Sequence, residues 1–432
     1  MIKKRSYSWG NYPKTNSNYF DFTSYQAFPE LKKDIIPFGN GRSYGDSCIN
    51  KNIVGLKNYN HFLGFDKNLG ILTIQSGVLL SEKIEVIIPK GWFLKVIPGT
   101  KFITVGGAIS SDIHGKNHHL EGCFSECVNW FSLLLPSGEV IRCSRYENEE
   151  LFLSTCGGMG LTGFILDIEI KLKKINSKYI NQKTIKSENL DETFKVFESI
   201  KNDPYSVAWI DCLAKGNKIG RSIIMSGKFC NDGELKYSPK KRLNIPVNFP
   251  SFTLNTFTVK IFNWIYYNQL REKVSYKKVN YDSFFFPLDS IRNWNRIYGK
   301  NGFTQYQFIL PKQESYKGLK SILNELSKSG KGSFLAVLKL YGKENKNYLS
   351  FPLEGYSLAL DFKIEKGLFK LLDKLDKIIL KHNGRIYLSK DVRVSKEVFE
   401  KGYPQISKFR EIRKKYKLNE VLNSLQSKRV GI

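Results

Sequence analysis

Residues 37–46 combine glycines, an arginine and small polar side chains directly after the apolar pair Ile35 and Ile36. They read Pro-Phe-Gly-Asn-Gly-Arg-Ser-Tyr-Gly-Asp. Closely spaced glycines let consecutive backbone N–H groups point into one concavity, which binds phosphate oxygens, and Arg42 is able to add a bidentate contact. No Gly-Lys-Ser/Thr follows, and glycines at 39, 41 and 45 do not fit a GxGxxG motif. An ordinary tight turn remains the alternative to a phosphate-binding loop.

Two more glycine-rich stretches follow. Residues 98–119 read Pro-Gly-Thr-Lys-Phe-Ile-Thr-Val-Gly-Gly-Ala-Ile-Ser-Ser-Asp-Ile-His-Gly-Lys-Asn-His-His, and small side chains at 104–111 let a flat ligand or a pyrophosphate lie close to the backbone. Residues 156–165 read Cys-Gly-Gly-Met-Gly-Leu-Thr-Gly-Phe-Ile and lead into a predicted strand. Three such loops in one region predict a single large ligand that contains a diphosphate. Their spacing fits FAD and other dinucleotides alike.

Histidines and cysteines are the residues most able to hold a metal ion. Three of the five histidines, His114, His118 and His119, are close in sequence, but Gly115 interrupts any helix there and no carboxylate or thiolate set completes a site. The seven cysteines include no CxxC pair. We therefore predict no metal site, and reduced thiols in a cytoplasmic protein.

The elements that must position these loops change in character along the chain. Between residues 35 and 170, short strands alternate with glycine-rich turns, after an irregular, aromatic stretch at 1–30. Beyond residue 177, lysine-rich amphipathic helices alternate with strands. The predicted helices are 81–88, 190–201, 313–328 and 367–381, and the predicted strands of the later region are 207–211, 302–310, 333–341 and 356–362. This pattern predicts an α+β protein with two or three domains.

The overall composition limits the classes of partner. The 432 residues contain 68 Lys plus Arg against 40 Asp plus Glu, a net charge of +28, which favours phosphorylated ligands or anionic membrane surfaces. Nucleic acid is excluded as a partner because no recognition element is present. No apolar run reaches the roughly 20 residues of a membrane-spanning helix. The basic N-terminus lacks an apolar stretch, so we expect no secretory signal.

Taken together, the motifs resemble a known family. The loops GNGRSYGD, PGTKFITVGGAISSDIHGKNHH and GGMGLTG are similar, in order and spacing, to those of the FAD-linked oxidases of the vanillyl-alcohol-oxidase (PCMH-type) fold, and within that fold to the decaprenylphosphoryl-β-D-ribose 2'-oxidases. The sequence similarity to these oxidases continues in residues 294–296, 302–308, 338–342, 349–352 and 389–391. The resemblance implies an FAD-binding domain at 1–177, a substrate domain with an antiparallel sheet at 178–384, and a C-terminal segment, 385–432, that returns to the first domain.

The resemblance also assigns roles to individual residues. It implies that Lys390 and His114 are catalytic, with Lys390 favoured as partner of the substrate hydroxyl, although either is able to act as the base. The implied substrate residues are Lys116, Gln305, Gln307 and Lys339. The implied FAD contacts are Gly39, Asn40, Gly41, Arg42, Ser43, Tyr44, Gly45, Gly99, Thr104, Val105, Gly106, Gly107, Ser111, His114, Ile165 and Tyr387.

The implied reaction is oxidation of a secondary hydroxyl of a polyprenyl-phosphate-linked pentose to the 2'-keto sugar. This is the first half of a 2'-epimerisation in cell-envelope synthesis, completed by a short-chain reductase partner. Residues 37–47 contain no histidine, so we expect non-covalent FAD. Ala359 and Phe285 replace a cysteine and a tyrosine common in the family, which leaves a soluble polyol, sugar or sugar lactone as an alternative substrate. We expect a cytoplasmic enzyme, peripheral to the inner face of the membrane, with oxygen or a quinone as acceptor.

Overall fold

Short strands are the main regular elements of the first 174 residues. The computed structural model describes residues 2–24, 33–238 and 242–432. Its first eleven strands are β1 (Ile2–Ser6), β2 (Thr15–Asp21), β3 (Ile35–Phe38), β4 (Asn52–Gly55), β5 (Phe62–Asp66), β6 (Ile71–Gln75), β7 (Trp92–Phe93), β8 (Val128–Leu134), β9 (Val140–Ser144), β10 (Phe164–Lys171) and β11 (Lys173–Lys174). A four-stranded sheet has the order β1-β2-β4-β3, a five-stranded sheet has the order β5-β6-β10-β8-β9, and β7 pairs with β11.

The prediction that residues 1–30 are irregular is wrong for their described part. β1 pairs antiparallel with β2, and β2 runs parallel to β4, with Asn18 opposite Asn52. Residues 25–30 lie outside the described residues. The partner strand β4 is more than thirty residues away in sequence, so local pattern alone does not reveal this pairing.

Four short helices accompany these sheets: α1 (Leu80–Ile87), α2 (Val105–Ser110), α3 (His118–Glu121) and α4 (Glu149–Thr155).

Side chains alternate between the two faces of a strand, and β6 buries one of its faces. In β6, Leu72 and Ile74 are fully buried while their neighbours are only half-buried. These two side chains join one hydrophobic core with the buried residues of α1, α2 and β10.

A larger sheet occupies residues 179–386. Its strands are β12 (Tyr179–Ser187), β13 (Tyr205–Ile210), β14 (Ser222–Phe229), β16 (Val274–Asn280), β18 (Phe303–Pro311), β19 (Ala336–Tyr341), β20 (Gly355–Lys363) and β21 (Arg385–Ile386), while β15 (Leu243–Asn244) and β17 (Ile291–Arg292) form a separate pair. The order is β16-β12-β14-β13-β19-β20-β18-β21, and every pairing is antiparallel. The predicted antiparallel sheet is thus present.

Helices contact this sheet and follow it in the chain. They are α5 (Leu190–Ser199), α6 (Thr256–Asn268), α7 (Tyr281–Phe285), α8 (Lys312–Ser329), α9 (Leu368–Lys381), α10 (Lys396–Gly402), α11 (Ile406–Lys415), α12 (Leu418–Val421) and α13 (Leu425–Val430). In α9 the buried residues Leu368, Leu372, Leu375 and Ile379 recur at helical spacing and face the core. Among the described residues, no helix combines the length and the apolar character needed to cross a membrane.

The C-terminal segment connects the two regions. β21 extends the large sheet beside β18, after which the chain returns to the first loop. There Arg429 forms salt bridges of 2.8 Å with both Asp46 and Asp391. Leu422 forms an isolated parallel β-bridge with Ile35, the first residue of β3. The boundaries 1–177, 178–384 and 385–432 stay a proposal, which the membership of the sheets supports.

Candidate active site

A cavity of about 380 Å³ lies between the glycine-rich loops and one face of the large sheet. Nearly all the site residues predicted from the sequence line it: Gly39, Asn40, Gly41, Arg42, Ser43, Tyr44, Gly99, Thr104, Gly106, Gly107, Ser111, His114, Lys116, Ile165, Gln305, Gln307, Lys339, Tyr387 and Lys390. Gly45 and Val105 do not. A Cβ on Gly45 would lie 1.7 Å from the carbonyl oxygen of Asp391, and the Val105 N–H donates to the Val78 carbonyl oxygen.

The first glycine loop presents unpaired backbone donors. Across the described parts of the chain, none of the N–H groups of residues 39–43 donates to a backbone carbonyl, whereas that of Tyr44 donates to Ser389. The Arg42 guanidinium lies 4.0 Å from the centroid of the Trp9 ring, and burial lowers the pKa of Arg42. Consecutive free N–H groups beside a half-buried cation are suited to a diphosphate.

The second and third loops are fastened to each other. Thr104 caps the N-terminus of α2, and its side-chain oxygen accepts a hydrogen bond of 3.2 Å from the Gly107 N–H. The Met159 N–H donates to the Ser110 carbonyl oxygen at the end of α2. Met159 itself adopts a φ of 52°, a left-handed conformation. A Cβ on Gly99 would meet no protein atom within 4 Å, so this glycine borders open cavity space.

Side chains on one face of the large sheet form the opposite wall of the cavity, because side chains alternate between the two faces along each strand. Gln305 and Gln307 lie two residues apart on β18 and therefore share a face. The register places Asp361 opposite Gln305 and Ala359 opposite Gln307. The Gln305 amide donates a hydrogen bond of 2.6 Å to the Asp361 carboxylate.

His114 is buried at the centre of this arrangement. Its Nε2 lies 3.0 Å from the amide nitrogen of Gln307, and its ring contacts those of Tyr341 and Tyr387 at centroid distances of 5.0 and 4.9 Å. Its Nδ1 is buried and has no hydrogen-bond partner within the described chain. Burial, followed by the neighbouring charge of Lys339, holds the pKa of His114 well below its ordinary value. The imidazole is therefore neutral at physiological pH.

Lys390 follows β21 and lies against the first loop. Its Nζ is 3.7 Å from the centroid of the Tyr44 ring. Burial lowers the pKa of Lys390 to about 7, and the carboxylate of Asp361 partly opposes this shift. Burial likewise raises the pKa of Asp361 to about 7. A neutral amine at this position is thus accessible near neutral pH, which is what a general base requires.

Lys116 and Lys339 are the other two cavity lysines. The Lys116 ammonium donates to the carbonyl oxygen of Phe284 and lies 4.6 Å from the centroid of that ring. Burial lowers the pKa of Lys116 to about 7 and that of Lys339 to about 8. Neither lysine forms an ion pair with an acidic residue in the described ranges, so each is able to bind an anionic ligand.

Comparison with known proteins identifies the family. A model described as an FAD binding domain matches residues 24–144, of which 25–32 lie outside the described residues. The decaprenylphosphoryl-β-D-ribose oxidase of Mycolicibacterium smegmatis is 35% identical over 424 residues, which cover 94% of this chain and 91% of that protein. The chain belongs to the decaprenylphosphoryl-β-D-ribose oxidase family. It is an FAD-dependent oxidoreductase that acts on alcohol groups, as the resemblance of its motifs predicts.

More distant relatives also match most of the chain. The L-gulonolactone oxidase of Scyliorhinus torazame is 24% identical over 434 residues, covering 91% of this chain and 90% of that protein. An uncharacterised protein of Streptomyces coelicolor is 25% identical over 370 residues, covering 82% of this chain and all of the relative.

The lining of the cavity in this family member fits FAD. The free N–H groups of residues 39–43 suit the diphosphate, and Gly99 leaves open space beside the backbone. Two buried polar atoms of the lining, Ser76 Oγ and His114 Nδ1, have no hydrogen-bond partner among the described residues and are available to a polar cofactor.

The three clustered histidines have different hydrogen-bond partners in the structure. His118 accepts a hydrogen bond of 3.2 Å from the Gly342 N–H, and Nε2 of His119 lies 2.9 Å from the Asp203 carbonyl oxygen. In the described ranges no group of three or more His, Cys, Asp or Glu is placed to hold a metal ion. All seven cysteines are free thiols.

Sequence reasoning missed several residues of the site. Asp361 was not singled out, although alternation along β20 places it on the same face as Ala359, which borders the cavity. The apolar end of the cavity includes Trp209 and Tyr266, which come from different elements of the large sheet region. No local motif marks these two residues, because only the tertiary fold brings them together.

Proposed function

We propose that the chain oxidises the 2'-hydroxyl of a polyprenyl-phosphate-linked pentose to the 2'-keto sugar, as the first half of a 2'-epimerisation for cell-envelope glycans. The observation that carries the proposal is the presence of three half-buried lysines, at 116, 339 and 390, in one cavity. Amines held at low dielectric need an anionic ligand to compensate their charge. The name of the mycobacterial relative supports a phosphorylated, lipid-linked ribose as that ligand.

The proposed roles follow from the neighbours of each group. FAD, held by the glycine-rich loops, supplies the electron chemistry by accepting a hydride from the carbinol carbon. The neutral amine of Lys390 accepts the hydroxyl proton, and the resulting ammonium is stabilised by Asp361 and by the face of the Tyr44 ring. Lys116 and Lys339 bind the phosphodiester.

The remaining polar groups orient the substrate and support the catalytic centre. Gln305 and Gln307 hold the hydroxyls of the sugar. His114, fixed by Gln307, supports the cofactor end through its free Nδ1 rather than acting as the base, because burial keeps the pKa of His114 well below its ordinary value. A neutral imidazole with so low a pKa holds a proton poorly.

The substrate class is tested by mixing the holoenzyme anaerobically with polyprenylphosphoryl ribose and recording the visible flavin band. Reduction by the lipid-linked sugar, and none by free pentoses or sugar lactones at the same concentration, supports the proposal. Reduction by lipid-free sugars at comparable rates would instead favour the soluble-substrate alternative.

Three further parts of the proposal concern how FAD is attached, which protein consumes the product and where in the cell the enzyme lies. The absence of a histidine in residues 37–47 supports non-covalent FAD, so acid precipitation is expected to release the yellow colour into the supernatant. Flavin retained in the pellet would overturn this. A short-chain reductase is expected to consume the keto product, and the basic chain is expected to reside in the cytoplasm against the inner face of the membrane.

A further inference from the structure

Exposed apolar side chains are concentrated in one part of the molecule. Of nineteen large hydrophobic residues that are exposed in the described chain, eleven lie between residues 243 and 276. We call the following group the apolar face: Leu243, Val247, Phe249, Phe252, Phe257, Ile261, Phe262, Trp264 and Ile265. Single exposed hydrophobic residues are normal on protein surfaces, but a concentration of this kind marks an interaction site.

Helix α6 carries the centre of the apolar face. Phe257, Ile261, Trp264 and Ile265 are spaced by four, three and one residues, so they lie along one side of the helix. Phe257 is 70% exposed and Trp264 is 61% exposed. Two large aromatic side chains therefore point away from the protein on an ordered helix.

The opposite side of α6 is anchored to the large sheet by polar contacts. Asn263 is buried and donates a hydrogen bond of 2.7 Å to the Asp211 carboxylate. The buried Tyr267 donates to the Ser187 carbonyl oxygen at 3.1 Å. A surface helix of a soluble protein normally turns its apolar side inward. Here the most apolar side is the outer one, which requires a non-aqueous partner.

The apolar face is continuous with the substrate cavity. Tyr266 of α6 lines the cavity beside Trp209, with ring centroids 4.8 Å apart. Phe262, on the apolar face, stacks on Tyr266 at 5.7 Å. Val207 and Val337 extend the apolar lining inward from Trp209. A hydrophobic chain attached to a substrate in the cavity thus has an apolar path to the outer surface.

The charge around the apolar face is strongly positive. Residues 242–278 contain six basic side chains, at 242, 260, 271, 273, 277 and 278, and a single acidic one, Glu272. Lys273 and Lys278 form ion pairs with Glu192 and Asp232, while Lys260 projects from α6 itself. Exposed aromatic side chains on a helix in a basic segment of the chain are suited to an anionic bilayer surface.

We propose that the apolar face of α6 docks onto the surface of an anionic lipid bilayer, so that a lipid-linked substrate enters the cavity without leaving the membrane. This inference rests on the proposed function for the identity of the substrate, but the binding of the bilayer is separable from it. The insertion of Phe257 and Trp264 supplies the hydrophobic contribution, and the lysines supply attraction to anionic headgroups.

The test is co-sedimentation of the holoenzyme with vesicles. Vesicles that contain phosphatidylglycerol are expected to bind the wild type at least tenfold more tightly than vesicles of phosphatidylcholine alone, with weaker binding at high salt. The double variant Phe257→Gln/Trp264→Gln, which keeps good helix formers in α6, is expected to bind at least tenfold more weakly than wild type. The matched control Leu69→Gln/Tyr146→Gln removes two large residues elsewhere that are at least as exposed as Trp264, and it is expected to bind as wild type does.

The outcomes separate this inference from the proposed function. The α6 variant is expected to oxidise detergent-solubilised substrate at the wild-type rate and the same substrate in vesicles at least tenfold more slowly. Vesicle binding unaffected by the α6 changes would overturn the inference, whatever the substrate. A concentration-dependent dimer in light scattering that the α6 variant abolishes would also overturn it, by assigning the face to a second copy of the chain. Vesicle binding without any oxidation of the lipid-linked sugar would refute the proposed function alone.

Discussion

Replacing Asp361 by asparagine tests whether a buried carboxylate sets the basicity of Lys390. Asp361 accepts hydrogen bonds of 2.6 Å from Gln305 and 3.3 Å from the Tyr298 hydroxyl. Asparagine has the same shape and still accepts the bond from Gln305, but it carries no charge. Because the carboxylate raises the pKa of Lys390 against the effect of burial, its loss is expected to lower the pKa of this lysine.

Coulomb's law gives the size of the effect. Within the described chain Asp361 and Lys390 form no direct ion pair, so the two charges are separated by more than a direct contact. At an effective dielectric constant of about 20, two unit charges attract by about 4 kcal/mol at about 4 Å and by about 2 kcal/mol at about 8 Å. One pKa unit corresponds to about 1.4 kcal/mol. Since Asp361 is itself only partly ionised near pH 7, we expect a shift of about one to two units.

The assay is the rate of flavin bleaching by substrate in anaerobic stopped-flow experiments across about pH 5 to 9. In wild type, the neutral amine of Lys390 accumulates as the pH rises, and two interacting groups that titrate near pH 7 give a broad rise in rate. In Asp361→Asn one of these groups is gone, so the rise becomes a single step at lower pH. The variant therefore retains more of its own maximal rate in acid than wild type does.

A matched control guards against a general effect of removing a buried carboxylate. Asp211 is also buried, pairs with Arg221 and lies outside the cavity lining. Asp211→Asn is expected to leave the pH midpoint unchanged. A midpoint in Asp361→Asn that is unchanged or moves to higher pH, in protein with a full complement of flavin, would refute the role given to Asp361.

Three other substitutions address separate parts of the site. Lys390→Met is expected to slow flavin reduction by about 10²- to 10⁴-fold with FAD still bound, and a rate within threefold of wild type would exclude this lysine as the base. Gly99→Ala adds a Cβ that meets no protein atom, so a titration is expected to show FAD affinity weakened by about 1–3 kcal/mol with the thermal stability of the apoprotein unchanged. Gly64→Ala serves as the control for Gly99→Ala, because a Cβ there is equally unhindered but lies outside the cavity. Equal FAD affinities in these two variants would contradict the assignment of Gly99 to the FAD site. Lys339→Met is expected to raise the KM for the phosphorylated substrate about tenfold while leaving kcat nearly unchanged, and an unchanged KM would remove Lys339 from the phosphate site.

The sequence predicts much of this fold because its strong signals are local. Alternation and helical spacing locate β18, β20 and α9 to within a few residues, and the glycine-rich loops mark most of the cavity wall. The local sequence pattern does not predict β1 and β2, because β2 pairs with β4 across a long separation in sequence. Gly45 belongs to the motif, but its missing side chain makes room for the Asp391 backbone rather than for a ligand. A motif therefore identifies the loop, while packing decides which of its residues border the cavity.

Burial lowers the pKa of all three cavity lysines, but only Lys390 has a carboxylate that opposes this shift, and this difference separates their roles. A base must be neutral before proton transfer and stabilised as a cation afterwards. Lys390 has what this requires, because Asp361 and the Tyr44 ring both favour its charged form once burial has made the neutral form accessible. For Lys116 and Lys339, burial lowers each pKa and no carboxylate opposes the shift. Within the described chain these two amines lack a counter-ion. We therefore propose that a low pKa makes Lys390 a base, and that it makes Lys116 and Lys339 a phosphate site whose occupation is coupled to proton uptake.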